Sequence, residues 1–144
     1  MQIRNMIEGD IPQLANLYQL FWGEPSDTEK MEQQFAVIKN KETHILLCAV
    51  ENDRLIGSVT GIICAELYGD CRPFLVIENM IVDHKKRRKG IASALLNELE
   101  IIARERECTQ MILVTETDRT DACAFYEASG FLSGVNSGYK KKLR

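Results

Sequence analysis

The residues with the most distinctive chemistry lie just past the middle of the 144-residue chain. Five consecutive basic residues, Lys85 to Lys89, run directly into Gly90, and an apolar helical pattern begins at Ile91. The first turn of a helix exposes backbone N–H groups without intrahelical partners, and the helix dipole is positive there. This junction is therefore predicted to bind an anion, and a diphosphate suits the combination of backbone donors and basic side chains.

Small residues at the junction favour the same ligand. Gly90 and Ala92 would let phosphate oxygens approach the backbone, while Arg87 adds charge and Ser93 adds a hydroxyl donor. The sequence contains neither the P-loop pattern G-x-x-x-x-G-K-[ST] at this position nor the dinucleotide-binding pattern G-x-G-x-x-G. A phosphate site of another kind is expected.

Glu78 is a second candidate, because it is a carboxylate inside the apolar stretch FLVIENMIV, residues 74–82. Strict alternation along a strand would place it on one face with Phe74, Val76, Met80 and Val82. A carboxylate on an apolar face near a cleft is expected to have a raised pKa, which suits a general base. The alternative is a structural ion pair with a basic neighbour.

Charge and composition restrict the class of protein. Removing the five positive charges of residues 85–89 from the net charge of −3 leaves −8 for the rest of the chain. A nucleic-acid-binding protein usually spreads basic charge over a face, so one local anion site is favoured over a nucleic-acid patch. Five cysteines without C-x-x-C spacing indicate reduced thiols, and two histidines without an acidic cluster indicate no metal site. Neither a membrane-spanning run nor a signal peptide is apparent, so a cytoplasmic location is expected.

The hydrophobic pattern predicts a mixed sheet flanked by helices. Strands are predicted at 2–6, 44–50, 55–67, 74–82 and 111–115, with two more short strands in the tail after Gly130. Helices are predicted after Asp10, at about 27–39, from Gly90 onward and at 120–129. Adjacent strands predict antiparallel pairing, and the strand–helix–strand unit from 74 to 115 predicts a parallel crossover, all within one domain of residues 1–144.

Two segments carry a resemblance to a known family. The segment RRKGIA, residues 87–92, resembles the R/Q-x-x-G-x-G/A signature of the GCN5-related N-acetyltransferase (GNAT) superfamily. Downstream, DACAFYEASGF, residues 121–131, resembles the A-x-x-F-Y-x-x-x-G-F segment of that family. With the element order, the resemblance covers nearly the whole chain. It implies a GNAT fold of the α/β (mixed α+β) class: a mostly antiparallel sheet of six to seven strands, about four flanking helices, and a V-shaped splay between strands 4 and 5.

The resemblance also implies a cofactor and residue roles. Acetyl-coenzyme A would bind in the splay, with its pantetheine along strand 4 and its diphosphate on the basic loop. The implied cofactor-binding residues are Met80, Ile81, Val82, Arg87, Arg88, Lys89, Gly90, Ile91, Ala92, Ser93 and Thr117, the last in place of an asparagine that many relatives have. Glu78 would be the general base, commonly through water, and Tyr126 the acid that protonates the departing thiolate.

The implied activity is transfer of acetyl to the primary amine of a small molecule by direct attack in a ternary complex. Two alternatives are a protein N-terminal or lysine acetyltransferase and a non-catalytic coenzyme A-binding or regulatory module. The family's acceptor site directs attention to Trp22, Glu24 and Tyr68, since acidic and aromatic groups suit a cationic amine. The alternative, slightly favoured, is that Trp22 and Phe21 close the core and the acidic residues are solvated. The segment LYQLFWGEPSD, residues 17–27, has a slight resemblance to aminoglycoside 6′-N-acetyltransferases. No metal, nucleic-acid or membrane partner is expected, and a homodimer is compatible with the family.

Overall fold

A computed structural model describes residues 1–143. These residues form two compact units, one of residues 1–112 and one from Leu113 onward. The single domain expected over residues 1–144 stays a prediction.

The first unit holds a five-stranded sheet and three α-helices. Its strands are β1 (Gln2–Asn5), β2 (His44–Glu51), β3 (Arg54–Cys64), β4 (Phe74–Val82) and β5 (Met111–Ile112). Its helices are α1 (Ile11–Trp22), α2 (Thr28–Ile38) and α3 (Ile91–Glu105), and short 3-10 helices at Glu8–Asp10 and His84–Lys86 precede α1 and α3. The strand order is β1-β2-β3-β4-β5, antiparallel except for the parallel β4–β5 pair. The predicted mixed fold is confirmed.

The two faces of this sheet are covered by different helices. On one face, the core joins residues of α1 and α2 to Cys48 of β2, Leu55 of β3 and Ile81 of β4. On the other face, a methyl group built on Gly57 or Gly61 of β3 would meet side chains of α3. Glycine at these two positions therefore lets α3 lie close to the backbone of the sheet.

A β-bulge interrupts β4. Ser58 pairs with Ile81 and Thr60 pairs with Glu78, so both Asn79 and Met80 lie opposite the single residue Val59. Asn79 has a left-handed backbone (φ 52°), a conformation that asparagine adopts more readily than most residues. Because the bulge adds one residue, the alternation of faces reverses at this point.

Pairing between β4 and β5 is short. It covers Leu75 with Met111 and Val76 with Ile112, whereas β4 continues to Val82. Among the described residues, β4 has no strand partner on that side beyond Val76. The end of pairing at this point agrees with the predicted divergence of the fourth and fifth strands.

The second unit contains helix α4 (Thr120–Ala128). The tail after Gly130 is not in strands within residues 131–143, so the prediction of two C-terminal strands, and of six to seven strands in the sheet, is corrected to five. The apolar tail side chains Leu132, Val135, Tyr139 and Leu143 are all exposed. Without their burial, little offsets the entropy cost of ordering the tail into strands.

Within residues 1–143, no helix is both long enough and apolar enough to cross a membrane.

Candidate active site

Hydrogen bonds and ion pairs hold the start of the basic loop between β4 and α3 in place. Asp83 is buried, accepts a hydrogen bond from the Lys85 amide at 3.0 Å and lies 3.6 Å from the Arg54 guanidinium. Lys86 forms an ion pair with Glu51 at the end of β2. Lys86 therefore holds the loop against the end of β2 rather than facing solvent. The sequence pattern did not indicate that one of the five basic residues is used in an ion pair.

The rest of the loop faces solvent. Arg87, Arg88, Lys89 and Gly90 are exposed. Arg88 (φ 60°) and Gly90 (φ 76°) both have left-handed backbones, which fold the chain sharply into α3. A side chain at Gly90 would meet no atom within 4 Å, so the space beside this backbone is open.

The N-terminus of α3 is available to an anion. Gly90 occupies the cap position without a side-chain cap, and the first turn carries no acidic residue. The first intrahelical bond of this turn runs from the Ala94 amide to the Gly90 carbonyl at 2.9 Å. The amides of Ile91, Ala92 and Ser93 precede that bond, so they belong to the unpaired donors of a helix start. Together with the exposed basic side chains, these donors fit a diphosphate such as that of coenzyme A.

Glu78 lies beside the bulge. It pairs with Thr60 and is exposed, as is Asn79. The expected single face with Met80 and Val82 is wrong, because the bulge reverses the alternation. Val82 pairs with Gly57, where an added methyl group would contact side chains of α3, so Val82 lies on the α3 face of the sheet. Ile81 instead joins the core with α1. Glu78 is exposed and therefore not buried among apolar side chains, contrary to the prediction from the sequence pattern.

A depression lies between α1 and the start of the basic loop. Its lining residues are Leu17, Leu20, Phe21, Ile81, Val82, His84 and Arg87. The Arg87 guanidinium stands 5.9 Å from the centroid of the Phe21 ring. The depression therefore contains three of the predicted cofactor-binding residues, together with side chains of α1 that the motif did not include.

The three predicted acceptor residues lie in two places of the first unit. Trp22 ends α1, is half exposed and meets the rings of Tyr18 and Phe21 edge-on, each with centroids 5.0 Å apart. Glu24 follows in the α1–α2 connection and is exposed. Tyr68 is exposed in the loop between β3 and β4.

The remaining predicted site residues belong to the second unit. Thr117 is exposed in the segment before α4. Tyr126 lies on α4, where its ring meets Phe125 at 5.2 Å and Phe131 at 5.8 Å between centroids. Burial raises the pKa of the Tyr126 hydroxyl, and the charge of Arg119 lowers it to a smaller extent. The hydroxyl therefore remains a proton donor at neutral pH.

Comparisons with known proteins agree with this architecture. The model of the acetyltransferase (GNAT) family matches residues 11–131. A provisionally assigned acetyltransferase of Agrobacterium tumefaciens str. C58 has a structure with a TM-score of 0.91 at 25% identity, covering 99% of each chain. The aminoglycoside 6′-N-acetyltransferase of Acinetobacter baumannii has a TM-score of 0.79 at 23% identity, over 98% of this chain and 97% of that one.

A curated relative matches over part of its length. The uncharacterized protein YdhI of Bacillus subtilis (strain 168) is 27% identical over 118 residues, which are 82% of this chain and 66% of that protein. The family match extends over most of the chain, and the TM-score of 0.91 shows that the fold is shared with the Agrobacterium structure. This protein belongs to the GNAT family of acetyltransferases.

Proposed function

We propose that this protein is an acetyl-CoA-dependent N-acetyltransferase that acts on the primary amine of a small molecule. The observation that carries the proposal is the uncapped N-terminus of α3 at Gly90, flanked by exposed Arg87, Arg88 and Lys89. Helix-start amides and guanidinium groups are the donors that a diphosphate requires. Metal is not part of the proposed chemistry.

The proposed mechanism assigns one task to each reacting group. Glu78 takes the proton of the attacking amine, directly or through water, and its exposure permits a bridging water. Backbone N–H groups near Met80 to Val82 would stabilise the oxyanion, because β4 lacks a strand partner there among the described residues. Tyr126 protonates the departing thiolate, a role that suits a hydroxyl whose pKa is raised.

The proposed acceptor is a cationic amine. Outside the basic loop the chain is acidic, and the exposed residues Trp22, Glu24 and Tyr68 supply one carboxylate and two aromatic rings. An aminoglycoside acetyltransferase shares the fold, and amino sugars therefore belong among the acceptors to be tested.

The test is coenzyme A release from acetyl-CoA, read as free thiol, against polyamines, aminoglycosides, amino sugars, amino acids and lysine peptides. Turnover with one small amine is the expected result. Turnover only with lysine or N-terminal peptides would replace the small molecule with a protein acceptor. Tight coenzyme A binding without turnover on any amine would instead favour a non-catalytic coenzyme A-binding module.

A further inference from the structure

Phe21 and Arg87 meet at the depression between α1 and the basic loop. The guanidinium carbon of Arg87 lies 5.9 Å from the Phe21 ring centroid, within the range of a cation–π contact. One residue belongs to the last turn of α1, and the other follows the 3-10 helix after β4. The contact therefore joins the first helix to the loop that is proposed to hold the diphosphate.

The two partners differ in how firmly they are held. Phe21 packs against the core that α1 shares with β4, and its ring meets Trp22 edge-on with centroids 5.0 Å apart. Arg87 is exposed, on an extended stretch of backbone. A long exposed side chain samples many rotamers, and contact with a fixed ring reduces that number.

We infer that Phe21 is a positioning residue, which holds the Arg87 guanidinium in place before the diphosphate binds. Because the ligand is taken to be the diphosphate of coenzyme A, this role rests on the proposed function. A guanidinium stacked on a ring keeps the N–H groups at its edge available to phosphate oxygens. A donor that is already ordered loses less conformational entropy when its ligand arrives, so affinity rises.

The experiment is a double-mutant cycle on the dissociation constant of coenzyme A, measured by calorimetry with the full chain. Phe21→Leu keeps an apolar side chain but removes the aromatic face, and it is expected to raise Kd about two- to fivefold. Arg87→Ala raises Kd by itself, and Phe21→Leu then has no further effect. Phe21→Trp keeps an aromatic ring, so its Kd is expected to stay close to the wild-type value.

Val37→Ala is the control, since Val37 is an exposed apolar side chain of α2 that does not line the depression. Its Kd is expected to stay at the wild-type value. If the wild type does not bind coenzyme A, or if Arg87→Ala binds it normally, the diphosphate assignment is wrong. The role inferred for Phe21 is then wrong as well. If Arg87→Ala weakens binding but Phe21→Leu has no effect, or has an equal effect in both backgrounds, only the role of Phe21 is overturned.

Discussion

Glu78 and Tyr126 are the two side chains proposed to move protons, and their surroundings differ. Glu78 is exposed beside a bulge in β4, where water can reach it. Tyr126 is half buried on α4 among Phe125 and Phe131. An exposed carboxylate suits proton removal through water, and a partly buried phenol suits proton donation.

Replacing Glu78 separates catalysis from cofactor binding. Glu78→Gln is expected to lower kcat about 100-fold, the usual contribution of a general base, with an unchanged Kd for coenzyme A. The measurement is steady-state thiol release over pH 6 to 9, together with calorimetry. The exposed Glu66→Gln is the control, and full activity of Glu78→Gln across that range would remove Glu78 from the mechanism.

Replacing Tyr126 removes the proposed acid. Tyr126→Phe is expected to reduce kcat about tenfold or more without changing coenzyme A affinity, and Tyr139→Phe, at a fully exposed tyrosine, is the control. Because burial raises the pKa of Tyr126 above its ordinary value, the phenol stays protonated as the pH rises. Deprotonation of Tyr126 should therefore lower wild-type kcat only at a higher pH than an ordinary tyrosine would require. The assignment would be contradicted if wild-type kcat fell at a lower pH and Tyr126→Phe abolished that fall.

At the scale of elements, the position of α3 against β3 is set by close packing. A methyl group on Gly57 would lie 3.0 Å from the Ile91 side chain and 3.1 Å from the Ile81 carbonyl oxygen. The carbonyl is backbone and cannot move aside alone. Since Ile91 is the first residue of α3, this contact connects sheet packing to the helix start that is proposed to bind the diphosphate.

Gly57→Ala is expected to lower the free energy of unfolding by about 1–3 kcal/mol, the range for overpacking, and to weaken coenzyme A binding. Denaturant unfolding and calorimetry measure the two effects. The control is Gly9→Ala, where a methyl group would meet no atom within 4 Å. Unchanged stability of Gly57→Ala would show that α3 can shift outward without cost.

The loop before α3 depends on backbone conformation rather than on space. Gly90→Ala introduces no close contact but places a side chain at φ 76°, which costs about 1–2 kcal/mol for an L-residue. Coenzyme A affinity is expected to fall about tenfold, because the loop relieves this strain by moving its amides. Gly69→Ala, at φ 62° in the loop before β4, is the control. Normal binding by Gly90→Ala would contradict the diphosphate assignment.

At the scale of the whole molecule, a partly buried ion pair between Arg4 and Asp10 makes the stability of the fold depend on pH. The Asp10 carboxylate accepts hydrogen bonds from Arg4 at 2.7 and 2.9 Å and from the Ile7 amide at 2.8 Å. Burial raises the pKa of Asp10, but these bonds together lower it below its ordinary value. A lowered pKa in the folded state means that the ionised form is favoured by folding.

The stabilisation from Asp10 is therefore present above about pH 4, its pKa range in the unfolded chain, and is lost as the pH falls through the lower folded value. Asp10→Asn is expected to lower the free energy of unfolding by about 2 kcal/mol at pH 7 and to reduce its dependence on acid. Urea unfolding from pH 7 to pH 2.5 measures both, with the exposed Asp70→Asn as control. An equal acid dependence in wild type and Asp10→Asn would contradict this role.

Local sequence was sufficient for much of the fold. The period of the apolar residues predicted β4 at 74–82, and the structure confirms these bounds. Gly90 before an apolar helical pattern predicted where α3 begins. Both depend on residues adjacent in the chain, since periodicity, caps and glycine conformations are local properties. The basic loop and the motif residues 87–92 could be recognised from sequence because they too are made of residues adjacent in the chain.

Tertiary structure decided which way those residues face and what they contact. The bulge at Asn79 arises from the register of β4 against β3, and it reverses the face that alternation predicted for Val82. The Lys86–Glu51 ion pair and the Arg87–Phe21 contact join residues far apart in sequence. The tail was predicted to form two short strands, but Leu132, Val135, Tyr139 and Leu143 are all exposed. Strand pairing and side-chain partners depend on distant segments, so local patterns alone cannot specify them.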